Sequence, residues 1–156
     1  AMSSFAGARR RFDFHIKSDR IVYIDDYAHH PSELTAAIES IKALYPKRKL
    51  TALFQPHLYS RTRDFADQFA RSLSLADEVI LLDIYPAREE PIEGVSSGML
   101  LEKITLAQKQ LCSKDTLLDC LRNLEMEVFV TFGAGDIDRQ LPAIEKLLRE
   151  RYLGND

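Results

Sequence analysis

The sequence has only two cysteines, Cys112 and Cys120, eight residues apart. Two thiols make no disulfide framework, and with Leu111, Leu117, Leu118 and Leu121 around them both read as small core residues. A reducing cytoplasm is the expected compartment. No apolar run approaches the roughly 20 residues that span a bilayer, so no membrane role is expected. The basic Arg9-Arg10-Arg11 leads into an alternating stretch rather than an apolar one, which does not read as a signal peptide. Neither charge dominates: 21 Lys and Arg face 24 Asp and Glu, a net charge of −3 that gives no broad attraction toward nucleic acid or anionic lipid. Internal repeats and low-complexity segments are absent. So is the Gly-x-x-x-x-Gly-Lys-Ser/Thr signature, leaving the chain without a P-loop of its own for ATP phosphates.

What is present fits one α/β domain. The 156 residues, 46% hydrophobic and 29% charged, are enough to bury roughly two-thirds of the unfolded surface. They are too few for most enzymes that need a separate pocket for each of several substrates. Residues 1–8 show no periodicity and read as a disordered tag or linker remnant, with residues 9–156 as a single domain.

Short apolar runs alternate with helical-period stretches, the pattern of a mostly parallel, Rossmann-like sheet with helices on both faces. Phe12, Phe14 and Ile16 alternate with polar partners and turn through Lys17 to Arg20 into Ile21 to Ile24, an opening hairpin. Pro31 and Ser32 open a helix with Leu34, Ala37, Ile38, Ile41 and Leu44 on one face. Leu50 to Gln55 is expected as a strand, Asp64 to Leu75 as a helix with Phe65, Phe69 and Leu73 inward, and Glu78 to Asp83 as a buried strand. Helices are expected over Ser97 to Ala107 and Asp115 to Leu124, with a short strand near Gln110 to Cys112. A last strand, Val128 to Phe132, precedes Gly133-Ala134-Gly135 and a closing amphipathic helix.

Doubly wound sheets bind ligands beyond the carboxyl ends of their strands, and the unusual chemistry falls there. After Ile24 come two acids and two imidazoles in Asp25-Asp26-Tyr27-Ala28-His29-His30-Pro31, at the start of a helix whose free N–H groups suit an anion. The plain alternative is an N-cap with solvated charges. No metal site is expected, because adjacent histidines point in different directions and no cysteine is near. After the second parallel strand comes Gln55-Pro56-His57-Leu58-Tyr59-Ser60-Arg61-Thr62-Arg63. Arg61, ahead of the helix, is the candidate clamp for carboxylate or phosphate, whereas Arg63 beside Asp64 reads as a surface charge. The Gly133 to Asp136 turn alone is a weak signal, since two glycines after a strand often serve only chain reversal.

Taken together these turns resemble the C-terminal domain of the Mur ligase family. The likeness rests on RRFDF at residues 10–14, DDYAHHP at 25–31, QPHLYSRT at 55–62, IYPAREEPIEGVSS at 84–97 and GAGDI at 133–137, all in order. QPHLYSRT is closer to the alanine-adding branch than to the branch that recycles murein tripeptide. Leu58 departs from the pattern, because many alanine-adding members carry Arg there, which puts more weight on Arg61.

The resemblance implies a full enzyme with a UDP-binding N-terminal domain, a central P-loop ATPase domain and this domain closing over them. It implies ATP and magnesium in the whole enzyme, neither held tightly by this domain alone, with UDP-N-acetylmuramate and L-alanine as the other substrates. It assigns Arg11 to the nucleotide phosphates, Asp26 to the ribose, and Tyr27 and His29 to the nucleotide and reaction cleft. His30, His57, Arg61, Gly133, Gly135 and Asp136 are assigned to substrate, and Arg11, His29 and Arg61 carry the catalytic expectation. Two other classes compete. A phosphoacceptor receiver domain would use Asp25, Asp26 and Asp83 but needs a Lys after the last strand, where Gly133 stands. A stand-alone anion- or nucleotide-binding regulatory module would bind ATP by itself.

Overall fold

In the computed structural model, residues 12–154 are described. The expectations for residues 1–8 and for Arg11 lie outside them. Six strands form one sheet: β1 (Asp13–Lys17), β2 (Val22–Asp26), β3 (Leu50–Phe54), β4 (Glu78–Leu81), β5 (Lys109–Leu111) and β6 (Val128–Phe132), in spatial order β1-β2-β6-β3-β4-β5. Only β1 runs antiparallel, paired to β2 through the expected hairpin; the other neighbours are parallel. Ser18 closes that hairpin, its hydroxyl donating to the Ile21 carbonyl at 2.8 Å.

The period-2 alternation of the strands divides the core. Val22, Ile24, Ala52, Phe54, Val130 and Phe132 face one layer, covered by α1 (Pro31–Leu44), α3 (Ala66–Leu73) and α4 (Ser97–Lys103). Tyr23, Leu53, Ile80 and Phe129 face the other, covered by α5 (Leu117–Arg122) and α6 (Leu141–Leu148). Burial on both faces explains why these strands read as continuous apolar runs.

Several local expectations are corrected. Leu44, expected on the buried face, is 56% exposed at the C-terminal end of α1. The helix expected over Asp64 to Leu75 is α3, shorter at both ends, and an unexpected helix, α2 (Tyr59–Asp64), precedes it; the two meet at Phe65, whose backbone (φ −119°, ψ 22°) leaves the helical region and whose ring is 40% exposed rather than inward. Arg61 therefore lies inside α2, not ahead of a helix. Cys112 is buried in the second core layer, as expected, with Cys120 packed against it and the two sulfur atoms side by side. The turn Ser113–Thr116, closed by the Thr116 N–H on the Ser113 carbonyl at 3.2 Å, folds α5 back over the end of β5 and brings the two together.

The topology places a crevice. β6 enters last yet sits between β2 and β3, so the loops after β2, β3 and β6 emerge side by side at the carboxyl edge. The β3–β4 pairing continues past the strands: the Leu82 N–H reaches the Phe54 carbonyl at 3.0 Å, and His57 bridges Tyr85. That brings the long loop after β4 onto the same edge. No helix among the described residues is long and apolar enough to cross a membrane.

Candidate functional site

The two acids that end β2 separate to opposite faces, as adjacent strand residues must. Asp25 is fully buried and accepts the Thr131 hydroxyl of β6 at 2.7 Å. Asp26 accepts the Ala28 N–H at 2.8 Å through one oxygen and the Phe12 N–H at 3.1 Å through the other. It shapes the turn and lines an open cleft of about 390 Å³ with Phe12, Ser32, Glu33 and the exposed side of α1.

Beyond that turn, Tyr27 is 37% exposed and meets the His29 ring edge-on at 5.2 Å. His29 places Nδ1 at 3.0 Å from the Tyr27 carbonyl, and its ring lies 4.6 Å from that of His30. Glu33, one turn into α1, accepts the N–H groups of both His29 (3.1 Å) and His30 (3.2 Å). This is the reach-back of an N3 carboxylate that caps a helix start. The expectation that the two imidazoles diverge is corrected: because Glu33 holds both backbone amides, ligand atoms of His29, His30 and Glu33 lie within 4.8 Å of one another.

The β3 turn supplies the opposite wall. Leu58 sits at φ 72°, a left-handed conformation uncommon for a branched residue, fixed by its N–H on the Tyr85 carbonyl at 2.8 Å. This sharp corner turns strand into α2 and puts Arg61 one turn above His57, with guanidinium and imidazole 3.4 Å apart. His57 stacks on Tyr85 (5.6 Å, 15°) and meets His29 edge-on at 6.4 Å. Three of the four histidines thus converge with Arg61, although they come from two turns 25 residues or more apart.

Burial holds the His57 imidazole below its ordinary range, and the charges of Arg61 and His29 add to the effect. His30 is held low for the same reasons, in the order burial, His29, Arg61. Both rings are therefore neutral near pH 7, beside a permanently charged guanidinium. Such a wall can grip an anionic oxygen through Arg61 while offering imidazole lone pairs to a donor.

The third turn supports rather than lines this group. Gly133 adopts φ +145°, and a side chain on Gly135 would place Cβ 2.6 Å from Gln55 Oε1 and 2.7 Å from the Tyr85 ring. Gln55, 2% exposed, donates to Asp136 at 2.8 Å and accepts the Ile137 N–H at 3.0 Å, and Lys114 donates to the other Asp136 oxygen at 2.6 Å. Gly133, Gly135 and Asp136 accordingly hold Gln55 and Tyr85 in place, and Tyr85 backs His57.

Sequence reasoning passed over Gln55, Tyr85, Glu33 and the Ser60–Glu89 pair. Glu89, in the loop after β4, accepts both the N–H and the hydroxyl of Ser60 at the start of α2. Gln55, Tyr85 and Glu89 lie within the quoted motifs, but only their spatial meeting shows what they do.

A family model described as Mur ligase, glutamate ligase domain, matches residues 10–135. The UDP-N-acetylmuramate–L-alanine ligase of Parabacteroides distasonis is 59% identical over 147 residues, covering 94% of this chain and 32% of that protein. The enzyme of the same name from Flavobacterium johnsoniae is 55% identical over 150 residues, covering 96% of this chain and 33% of its own. The chain thus spans about a third of the length of the curated relatives it matches. Among solved structures, a UDP-N-acetylmuramate-alanine ligase from Thermotoga maritima superposes with a TM-score of 0.69 at 27% identity, over 94% of this chain and 30% of that one. A murein peptide ligase from Psychrobacter arcticus shares the fold, with a TM-score of 0.69 at 22% identity over 95% of this chain and 30% of that one.

Proposed function

The chain belongs to the Mur ligase family through its glutamate ligase domain, and on that premise we propose that it is the C-terminal domain of the cytoplasmic enzyme that joins L-alanine to UDP-N-acetylmuramate in peptidoglycan synthesis. The observation that carries this reading is the convergence of His29, His57 and Arg61 at the carboxyl edge, within a chain 59% identical to a relative bearing that enzyme's name.

In this reading the missing part of the enzyme supplies the P-loop and the UDP site, and magnesium travels with ATP. Phosphoryl transfer to the lactyl carboxylate of UDP-N-acetylmuramate gives an acyl phosphate and ADP. The alanine amine then attacks the acyl carbon, the amide bond forms and phosphate leaves with the electron pair of the broken C–O bond. Arg61 pairs with negative oxygen on the alanine carboxylate or the acyl phosphate, where a well-placed donor is worth about 2.7–4 kcal/mol of barrier. His57, kept neutral and oriented by Tyr85, accepts a hydrogen bond from the incoming ammonium. Asp26 already takes two backbone N–H groups, so toward a ribose it acts as a shared acceptor on the wall of the cleft beside α1. Arg11 is assigned to the phosphates by resemblance alone. Closing these groups over the acyl phosphate excludes water from an easily hydrolysed intermediate.

Arg61→Ala in the full-length enzyme is expected to lower kcat/KM for alanine about 10²-fold with unchanged circular dichroism. Unchanged kinetics would remove Arg61 from the site. The 156-residue chain alone, given ATP, magnesium, UDP-N-acetylmuramate and L-alanine, should release no phosphate above background. Turnover by it would overturn the division between domains, and micromolar binding of ATP to it would favour a stand-alone regulatory module.

A further inference from the structure

His29 and His30 belong to the cleft that the proposed reading uses, but their convergence with the Glu33 carboxylate is not called for by that reading. We propose that these three side chains form a binding site for one divalent transition-metal ion of the zinc type, bordered by His57. Two imidazoles and one carboxylate are a donor set that suits zinc, cobalt or nickel and leaves a coordination position open to solvent or ligand. Magnesium, which keeps to oxygen ligands and its own waters, is not served by it.

The geometry is nearly formed. Zinc–nitrogen and zinc–oxygen bonds of about 2.1 Å in a tetrahedron separate neighbouring donors by about 3.4 Å. The three ligand atoms already lie within 4.8 Å of one another. The remaining contraction lies within reach of small side-chain rotations, because none of the three is fully buried.

The supporting contacts are of the kind that orient metal ligands. His29 Nδ1 lies 3.0 Å from the Tyr27 carbonyl and 3.6 Å from the Glu33 carboxylate, contacts that orient the ring against its neighbour in the proposed site. The amides of His29 and His30 hold the Glu33 carboxylate in place. A carboxylate offers about four lone-pair positions, so two N–H groups do not exhaust it. Arg61, 3.4 Å from His57, is the opposing cation, and the Glu33 charge offsets it.

The inference stands apart from the ligase reading and is tested without substrate. Zn²⁺ titrated calorimetrically into the chain, without thiol reductant that would compete for the metal, is expected to bind at one equivalent with a micromolar Kd. Co²⁺ should give the visible d–d absorption of a low-symmetry site. His30→Ala and Glu33→Gln should each weaken binding by about 10-fold or more. In the unaltered chain, Zn²⁺ should shift the ring resonances of His29 and His30 and leave those of His15 in place, a readout that does not depend on any variant folding. The proposal is overturned by the absence of saturable binding up to about 1 mM. It is equally overturned by affinity unchanged in His30→Ala, or by resonance shifts centred on His15. Binding abolished by Cys112→Ser with the histidines intact would also overturn it.

Discussion

At the scale of single residues, the site depends on how closely backbones approach one another. Gly135 is the clearest case. Its missing side chain is what lets Gln55 and Tyr85 meet the β6 turn, since a Cβ there would sit 2.6 Å from Gln55 Oε1 and 2.8 Å from Tyr85 Cβ. Gln55 could move its far end, but the Tyr85 Cβ moves only with its backbone. Gly135→Ala should therefore cost about 1–3 kcal/mol, read as a fall of several degrees in the thermal midpoint. It should also perturb the His57 resonance through Tyr85, which stacks on it. A midpoint and a His57 resonance both unchanged would show that the contact relaxes freely. The two glycines were legible in the sequence as a tight turn, but what they make room for was not, because Gln55 and Tyr85 lie 80 and 50 residues away in the chain.

At the scale of elements, the turns are held by ties between segments of different type. The loop between β4 and α4 has no regular structure over most of its length, yet Glu89 fastens it to the first turn of α2 through two bonds to Ser60. Those bonds hold the Glu89 carboxyl below its ordinary range. Glu89→Ala is expected to speed amide exchange at Ser60 and to open the loop to proteolysis, with little change in the global midpoint because the tie is local and lies outside the core. Exchange at Ser60 unchanged from the parent chain would show that the tie does not hold the loop. Helical periodicity identified α1 and its buried face well, since Leu34, Ala37, Ile38 and Ile41 are all buried. It failed at Phe65, read as an inward residue of the next helix, because the chain leaves the helical region there, a departure in the backbone that amphipathic pattern does not encode.

At the scale of the whole molecule, the charges converge on one response to pH. His30 and His57 are depressed below 6.5, chiefly by burial. The unfolded chain then takes up protons first, so their contribution is complete above 6.5 and is lost as pH falls through the lower folded values. Glu33, Asp136 and Glu145 are desolvated, which alone would raise their pKa values. Hydrogen bonds and neighbouring cations, led by the His29 N–H for Glu33, Lys114 for Asp136 and His15 for Glu145, together outweigh that effect and hold all three low. Their contributions are present above the ordinary carboxyl values and are lost as pH falls through the depressed ones. The thermal midpoint should therefore be flat above pH 7, decline gently below about 6.5 and fall steeply below about 4.5. His57→Gln should flatten the first stage and leave the second. A midpoint constant from pH 7 to 5 in the parent chain would contradict the assignment of the histidines.

The sequence by itself determined the alternation of strands and helices, the two-sided burial of the sheet and the strand ends at which chemistry collects. These follow from local periodicity and from turn residues, which act over a few positions. Tertiary structure alone decided that β6 enters between β2 and β3, and with it which turns become neighbours. That placement brings His57 beside His29, sets Gln55 and Tyr85 against Gly135, and commits Asp136 to Lys114 and Gln55. It also set Cys112 beside Cys120, because the turn between them reverses direction in space. The physical reason is the same throughout: strand order and contact across turns are settled by burying both faces of one sheet at once, a condition on the whole chain that no local pattern expresses.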